Sequence, residues 1–286
     1  MPEHASGPMP PEREPQRAAV RVSGIAREAA LITFAVLVYF GVRNATAGSA
    51  ETAFANAERL VGWERWLGID WEGALQGAVV GSDAVVTLAN WVYIFGHWPV
   101  ILTVAVLLYV YRRPHYRLLR NAMFASGLIG FLFFALFPVA PPRLLELGLV
   151  DTVTERSDAY RALQPPGLTN QYAAFPSLHA GWNLLVGIVV VLAVASLGVR
   201  LLAVAGPVLM SVAVVLTANH FVLDVVGGVG VVLVGLAIAV FARRRELPAT
   251  LTRDGVPADV GDARRPERRV AVRGRAPRGQ LPGGAG

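Results

Sequence analysis

Two stretches of a strongly apolar chain carry residue types that do chemistry: FPSLHAGW, with Ser177 and His179, and TANHFVLDVVGG, with Asn219, His220 and Asp224. A carboxylate four residues after a histidine shares its helical face, so Asp224 is placed to hold the His220 imidazole. Arg143, in FPVAPPRL, adds a planar guanidinium fork that matches phosphate oxygens. The combination suits phosphoryl transfer: an imidazole whose tautomer is fixed attacks phosphorus, and a second histidine protonates the departing oxygen. Pro176 and Ser177 mark a helix start, where free N–H groups and the positive end of the dipole favour a bound anion. Ser177 either caps that helix or donates to phosphate. Asn219 either caps the last helix or helps hold a phosphate or His179.

The elements that must position these groups are membrane helices. Of 286 residues, 54% are hydrophobic and 16% charged, and the mean hydropathy is +0.50, too apolar and charge-poor for an ordinary soluble domain. Cysteine is absent, which excludes disulfides, thiolate metal sites and a cysteine nucleophile. Lysine is absent too, which excludes a lysine phosphate ligand or Schiff base. The net charge of +6 sits in the tail, where 11 Arg face 5 acidic residues from Arg243 onward. That excess therefore reads as a disordered cytoplasmic extension resting at most on anionic headgroups, and no nucleic-acid partner is expected.

Residues 1–25 form a loose proline-containing arm, 26–242 a membrane catalytic domain, and 243–286 the disordered Arg-rich tail. Six apolar stretches of near-spanning length are predicted, at about 26–42, 85–111, 118–137, 179–197, 199–216 and 221–242. The second is long and contains Pro99, which predicts a bend or a short preceding helix. Arginine-rich YRRPHYRLLR, Arg200 and Arg243–Arg245 mark cytoplasmic ends, whereas 43–83 and 139–178 carry more acids than arginines and face outward. Both termini are then cytoplasmic, and His179, His220 and Arg143 meet at the extracytoplasmic surface of the cell membrane. Phe54, Ala57, Leu60 and Val61 share a helical face followed by Trp63, Trp66 and Trp71, which predicts an interfacial amphipathic helix with headgroup-level tryptophans. Gly227, Gly228 and Gly230 are expected to allow close helix packing. His97 is held open as a substrate contact or a packing histidine, and His115 is expected to be solvated.

The stretches AERLVGWERWLGID, NWVYIFGHWPV, FPVAPPRL, AAFPSLHAGW and TANHFVLDVVGG together resemble the membrane type 2 phosphatidic acid phosphatase superfamily, in particular its inositolphosphoryl transferase branch that makes inositol phosphorylceramide. The resemblance runs from about 58 to 240 and implies an all-α bundle. It implies His220 as the nucleophile forming a phosphohistidine, Asp224 as its orienting partner, His179 as the proton carrier, and Arg143 as the phosphate clamp. The implied partners are a lipid phosphate or phosphodiester and, for transfer, an alcohol acceptor such as inositol. No metal or cofactor is implied. Three positions depart from the common family pattern: no lysine precedes Arg143, Leu178 stands where glycine is usual, and Val214 replaces the arginine expected six residues before the nucleophile.

Two other classes compete. A bis-histidine haem or metal protein would use His97, His179 and His220 but leaves Asp224 without a role. An intramembrane serine protease would need Ser177 to pair with His179, two residues away and badly placed for a dyad on one helix.

Overall fold

The computed structural model describes residues 50–157 and 170–246 and, ahead of them, positions 24, 26–35, 37–38 and 41. The described residues are almost wholly helical and contain no strand beyond one isolated bridge, Val139 to Ala173. The described positions ahead of residue 50 are helical, and from residue 50 the described residues form, in order, α1 Ala50–Leu67, α2 Glu72–Val79, α3 Asp83–Phe95, α4 Trp98–Tyr111, α5 Arg113–Leu136, α6 Thr152–Arg156, α7 Leu178–Ala193, α8 Leu197–Leu216 and α9 Val222–Glu246. The expected arm and tail lie outside the described residues, apart from 24 and 243–246; the last four continue α9 beyond the expected boundary at 242.

Among the described residues three helices, α5, α8 and α9, are long and apolar enough to cross a membrane, and α3 with α4 makes a fourth candidate if counted as one bent span. The bend is 44°. The expected Pro99 bend is present, but the helix breaks at Gly96 and His97, leaving Pro99 in the first turn of α4, where its missing N–H is harmless. Helix α7 is shorter, at 16 residues. The sequence stretch 26–42 is only partly described, so the expected count of six spans rests on more than the described residues show. The arginine-rich segment expected as a connection is instead the first two turns of α5, with Arg112 alone between helices. His115 accordingly sits half-buried on a helix rather than solvated.

Helix α7 is central. Leu178, Trp182, Leu185, Val186, Val189 and Ala193 form the spine of the main core, against Leu119, Ala122 and Phe134 of α5 and Val232 and Ala239 of α9. The Trp182 indole N–H donates to Ser126 Oγ at 3.2 Å, which ties α7 to α5. Small residues bring backbones together without a driving force from lipid. A Cβ on Gly228 would lie 2.1 Å from the Ser177 carbonyl oxygen, and one on Gly181 would lie 2.6 Å from that of Gly228. A Cβ on Gly227 would strike the Phe175 ring, whereas Gly230 faces open space and plays no such part. Leu, Val and Phe side chains such as Leu102, Val106, Leu128, Leu201, Val208, Leu233 and Phe241 are exposed around the outside, a greasy belt suited to hydrocarbon.

Helix α1 buries Ala53, Asn56, Ala57, Leu60 and Glu64. The buried stripe is rotated from the expected one, keeping Ala57 and Leu60 at its centre and leaving Phe54 and Val61 at its margins. It packs on Val139, Ala140, Ala174 and Phe221, the backbone around the chemistry-bearing residues, while Trp63, Trp66 and Trp71 remain exposed.

Candidate active site

The junction of α8 and α9 is a tight turn. Thr217 Oγ1 donates to the Ala213 carbonyl at 2.8 Å, Ala218 takes a left-handed φ of 55°, and the N–H groups of Asn219 and His220 both donate to the Val214 carbonyl at 3.1 Å. This closes α8 in the manner of a C-terminal cap and turns the chain sharply toward α9. Val214 is fully buried in an apolar cluster with Tyr93, Ile94, Val153 and Met210, so the position that carries arginine in the common pattern is here a hydrophobic floor beneath the turn.

His220 Nδ1 lies 2.8 Å from the Ala174 carbonyl oxygen and 3.3 Å from Asp224 Oδ2. A carbonyl oxygen only accepts, so Nδ1 carries the proton and the Nε2 lone pair is left as the nucleophilic position. The backbone carbonyl of Ala174 is the closer partner, and nothing in the spacing of His220 and Asp224 announces it. Asp224 Oδ2 also accepts the Phe221 N–H at 2.8 Å, whereas Oδ1 is buried without a hydrogen-bond partner. Burial holds the His220 imidazole down, to about 3, and the Arg143 charge works in the same direction, against the pull of the Ala174 carbonyl. The ring is therefore neutral near pH 7, the state a nucleophile needs.

His179 stands in the first turn of α7, reached through a cis Phe175–Pro176 peptide. Its ring centroid is 5.8 Å from that of His220, with the planes at 52°. Ser177 is buried; its Oγ accepts the Ala180 N–H at 3.4 Å, and its own N–H donates to the Asp224 carbonyl at 2.8 Å. Ser177 Oγ therefore serves as the cap of α7. Arg143 follows the end of α5 in a 3-10 turn, Pro142–Leu144, and its N–H donates to the Ala218 carbonyl at 2.9 Å. Its guanidinium donates to Asn219 Oδ1, and its Nε is 3.3 Å from Asp151 Oδ2. Asn219 completes the corner by donating from Nδ2 to Thr217 Oγ1 at 3.0 Å, so it braces Arg143 rather than capping α9. All six residues expected from the sequence, Arg143, Ser177, His179, Asn219, His220 and Asp224, thus converge at one end of the bundle.

The start of α9 is capped from elsewhere. Glu72 Oε1 accepts the Val222 N–H at 2.8 Å and Glu64 Oε1 accepts the Leu223 N–H at 2.7 Å, across more than 140 residues of sequence. Carboxylates at a helix N-terminus satisfy orphan donors and meet the positive end of the dipole. Burial raises the Glu64 carboxyl to about 8, the neighbouring Glu72 and Asp224 charges add to this, and the Leu223 N–H opposes it. Gln76 grips the other side of the turn, donating to the Leu216 carbonyl at 3.0 Å and the Val150 carbonyl at 2.9 Å. These three residues escaped sequence reasoning because Glu and Gln on an amphipathic helix read as solvent-facing. The signal available was that Glu64 falls on the same stripe as Ala57 and Leu60.

His97 joins the site from the break between α3 and α4, with its ring centroid 4.1 Å from that of His179 and the planes tilted by 31°. The two rings pack against each other at this tilt. A family model described as the PAP2 superfamily matches residues 58–238. No curated protein and no solved structure matches the chain.

Proposed function

The chain belongs to the PAP2 superfamily, a membership that carries a phosphatase or phosphotransferase type of function, and we propose that it acts on a lipid phosphate or phosphodiester through a phosphohistidine. In the first step His220 Nε2 attacks phosphorus, the bond from phosphorus to the lipid oxygen breaks, and His179 supplies the proton that oxygen needs. In the second, water or an alcohol such as inositol attacks the phosphohistidine, His179 takes its proton, and the N–P bond breaks. Arg143, braced by Asn219 and Asp151, holds the phosphate oxygens and stabilises charge as it builds.

The observation that carries this reading is the His220 tautomer: Nδ1 is committed to Ala174 and Asp224, so Nε2 is free for attack. The arginine distribution along the sequence supports the reading of a cell-membrane protein with both termini cytoplasmic and the site at the extracytoplasmic end. The resemblance of FPSLHAGW and NHFVLD to the inositolphosphoryl transferase branch favours an alcohol as second substrate. The test is to incubate the purified protein with radiolabelled phosphatidic acid and phosphatidylinositol, with and without inositol, and identify the phosphorylated product. With labelled phosphatidic acid, a labelled inositol product that requires added inositol assigns transfer and free phosphate alone assigns hydrolysis; phosphatidylinositol, which releases inositol phosphate to water as well, reports whether a phosphodiester is accepted.

A further inference from the structure

His97 is 3% exposed and packs against His179 at a tilt of 31°, with Trp182 parallel to it within 5° at 6.1 Å. Tyr93, one turn earlier, stacks on His179, at 4.8 Å and 15°. The link that gives this cluster a role is Asn183. Its Nδ2 donates to the His179 carbonyl at 2.9 Å and lies 3.1 Å from His97 Nδ1. Because a carbonyl oxygen only accepts, the group turned toward it is the NH2, and that same nitrogen can only donate to His97. His97 Nδ1 therefore holds a lone pair, and the ring proton is on Nε2. A second proton at Nδ1 would confront an N–H.

The consequence falls on His179. In the proposed reaction this ring is cationic whenever it is poised to protonate the leaving oxygen, and a cation is attracted to the face of a neutral aromatic ring. A charged His97 would repel it. We infer that His97, held uncharged by Asn183, is a positioning residue for His179 that orients its ring and favours its proton-bearing form. The inference rests on the proposed phosphohistidine reaction. The titratable groups facing His179 are Tyr93 from α3, His97 at the α3–α4 break and His220 from the turn before α9, with Asp224 and Arg143 bearing on it through His220.

The test uses the full-length protein and radiolabelled phosphatidic acid and phosphatidylinositol, following kcat against pH together with phosphoenzyme formation. Asn183→Leu frees His97 Nδ1 to take a proton, so kcat falls about tenfold and the acid limb of its pH profile moves up by about one pH unit, while phosphate still appears on His220. Adding His97→Phe, a flat ring that does not titrate, returns the limb toward its original position and regains most of the lost rate. His97→Leu, which removes the ring face, lowers kcat with little change in KM. The inference is overturned if Asn183→Leu leaves kcat and its pH profile unchanged, or if His97→Phe fails to rescue it. Failure of the underlying reaction looks different: the unsubstituted protein then forms no phosphohistidine at all.

Discussion

Asp224 Oδ2 reaches His220 Nδ1 at 3.3 Å, one helical turn away, while the same oxygen accepts the Phe221 N–H at 2.8 Å. The carboxylate thus holds both the imidazole and the backbone that delivers it. Since the Ala174 carbonyl also accepts from Nδ1, at 2.8 Å, removing the Asp224 charge leaves the tautomer partly enforced. Asp224→Asn is expected to lower kcat by about 10²-fold, the low end of what a misplaced acid–base partner costs, with the protein still folded. His220→Ala is expected to abolish turnover. Steady-state assays with size-exclusion controls separate the two; equal losses would show that Ala174 contributes nothing to the tautomer.

Arg143 is fixed by the Ala218 carbonyl, Asn219 and Asp151 in a geometry that uses its fork. Arg143→Lys keeps the charge but cannot brace against Asn219 and grip phosphate together. A loss in kcat/KM of about 10- to 100-fold is expected, in line with losing charge-assisted hydrogen bonds of ~1.5–3 kcal/mol. Undiminished kcat/KM in this variant would remove Arg143 from the phosphate clamp.

Two glycines of one motif should behave oppositely. A Cβ at Gly228 would sit 2.1 Å from Ser177 O and 2.9 Å from Ser177 C, backbone atoms that cannot swing aside, whereas Gly230 has nothing within 4 Å. Gly228→Ala is expected to cost about 1–3 kcal/mol or more and to displace Ser177 and His179. Gly230→Ala should be neutral or stabilising by up to about 1 kcal/mol, from helix propensity. Thermal unfolding in detergent distinguishes them.

Glu64 gives a pH signature. Its carboxyl stands at about 8 in the folded protein against an ordinary 4.5, so between these values the folded chain keeps a proton that the unfolded chain has lost. Stability therefore falls as pH rises through that window and levels off above it. Glu64→Gln keeps an acceptor for the Leu223 N–H without a charge to bury, so its melting temperature should gain on the unsubstituted protein steadily from pH 5 to 8. Glu64→Leu orphans that N–H and should cost about 1–3 kcal/mol at every pH in the range. Parallel pH dependence for the Gln variant and the parent would contradict the assignment.

The sequence made the bundle legible because long apolar runs announce membrane helices, and it made the proposed reacting groups legible because His179, His220, Asp224 and Arg143 are costly in such surroundings. What it hid were partners without a local pattern. The Ala174 carbonyl is a backbone atom, and any residue at that position supplies one. Glu64, Glu72 and Gln76 act on a turn 140 to 159 residues away, and Asn183 speaks to His97 only because the α3–α4 break brings His97 against α7. Pro99 was legible as a bend or a short preceding helix, and both are present: α3 ends at Phe95, and α4 starts at Trp98 with Pro99 in its first turn. The exposed stretch expected at 112–120 proved helical because Pro114 is tolerated in a first turn and Tyr109 provides a face for the Arg113 guanidinium, 3.4 Å from the ring centroid.

The most direct measurement is mass spectrometry of the protein quenched at alkaline pH, where phosphohistidine survives, during turnover of phosphatidic acid or phosphatidylinositol. The account predicts a phosphohistidine at His220, carrying a phosphoryl group from phosphatidic acid or an inositolphosphoryl group from phosphatidylinositol, lost in His220→Ala and formed more slowly in His179→Ala, whose first step lacks its acid. Turnover that persists in His220→Ala, or a phosphoryl group carried by another residue, would contradict it.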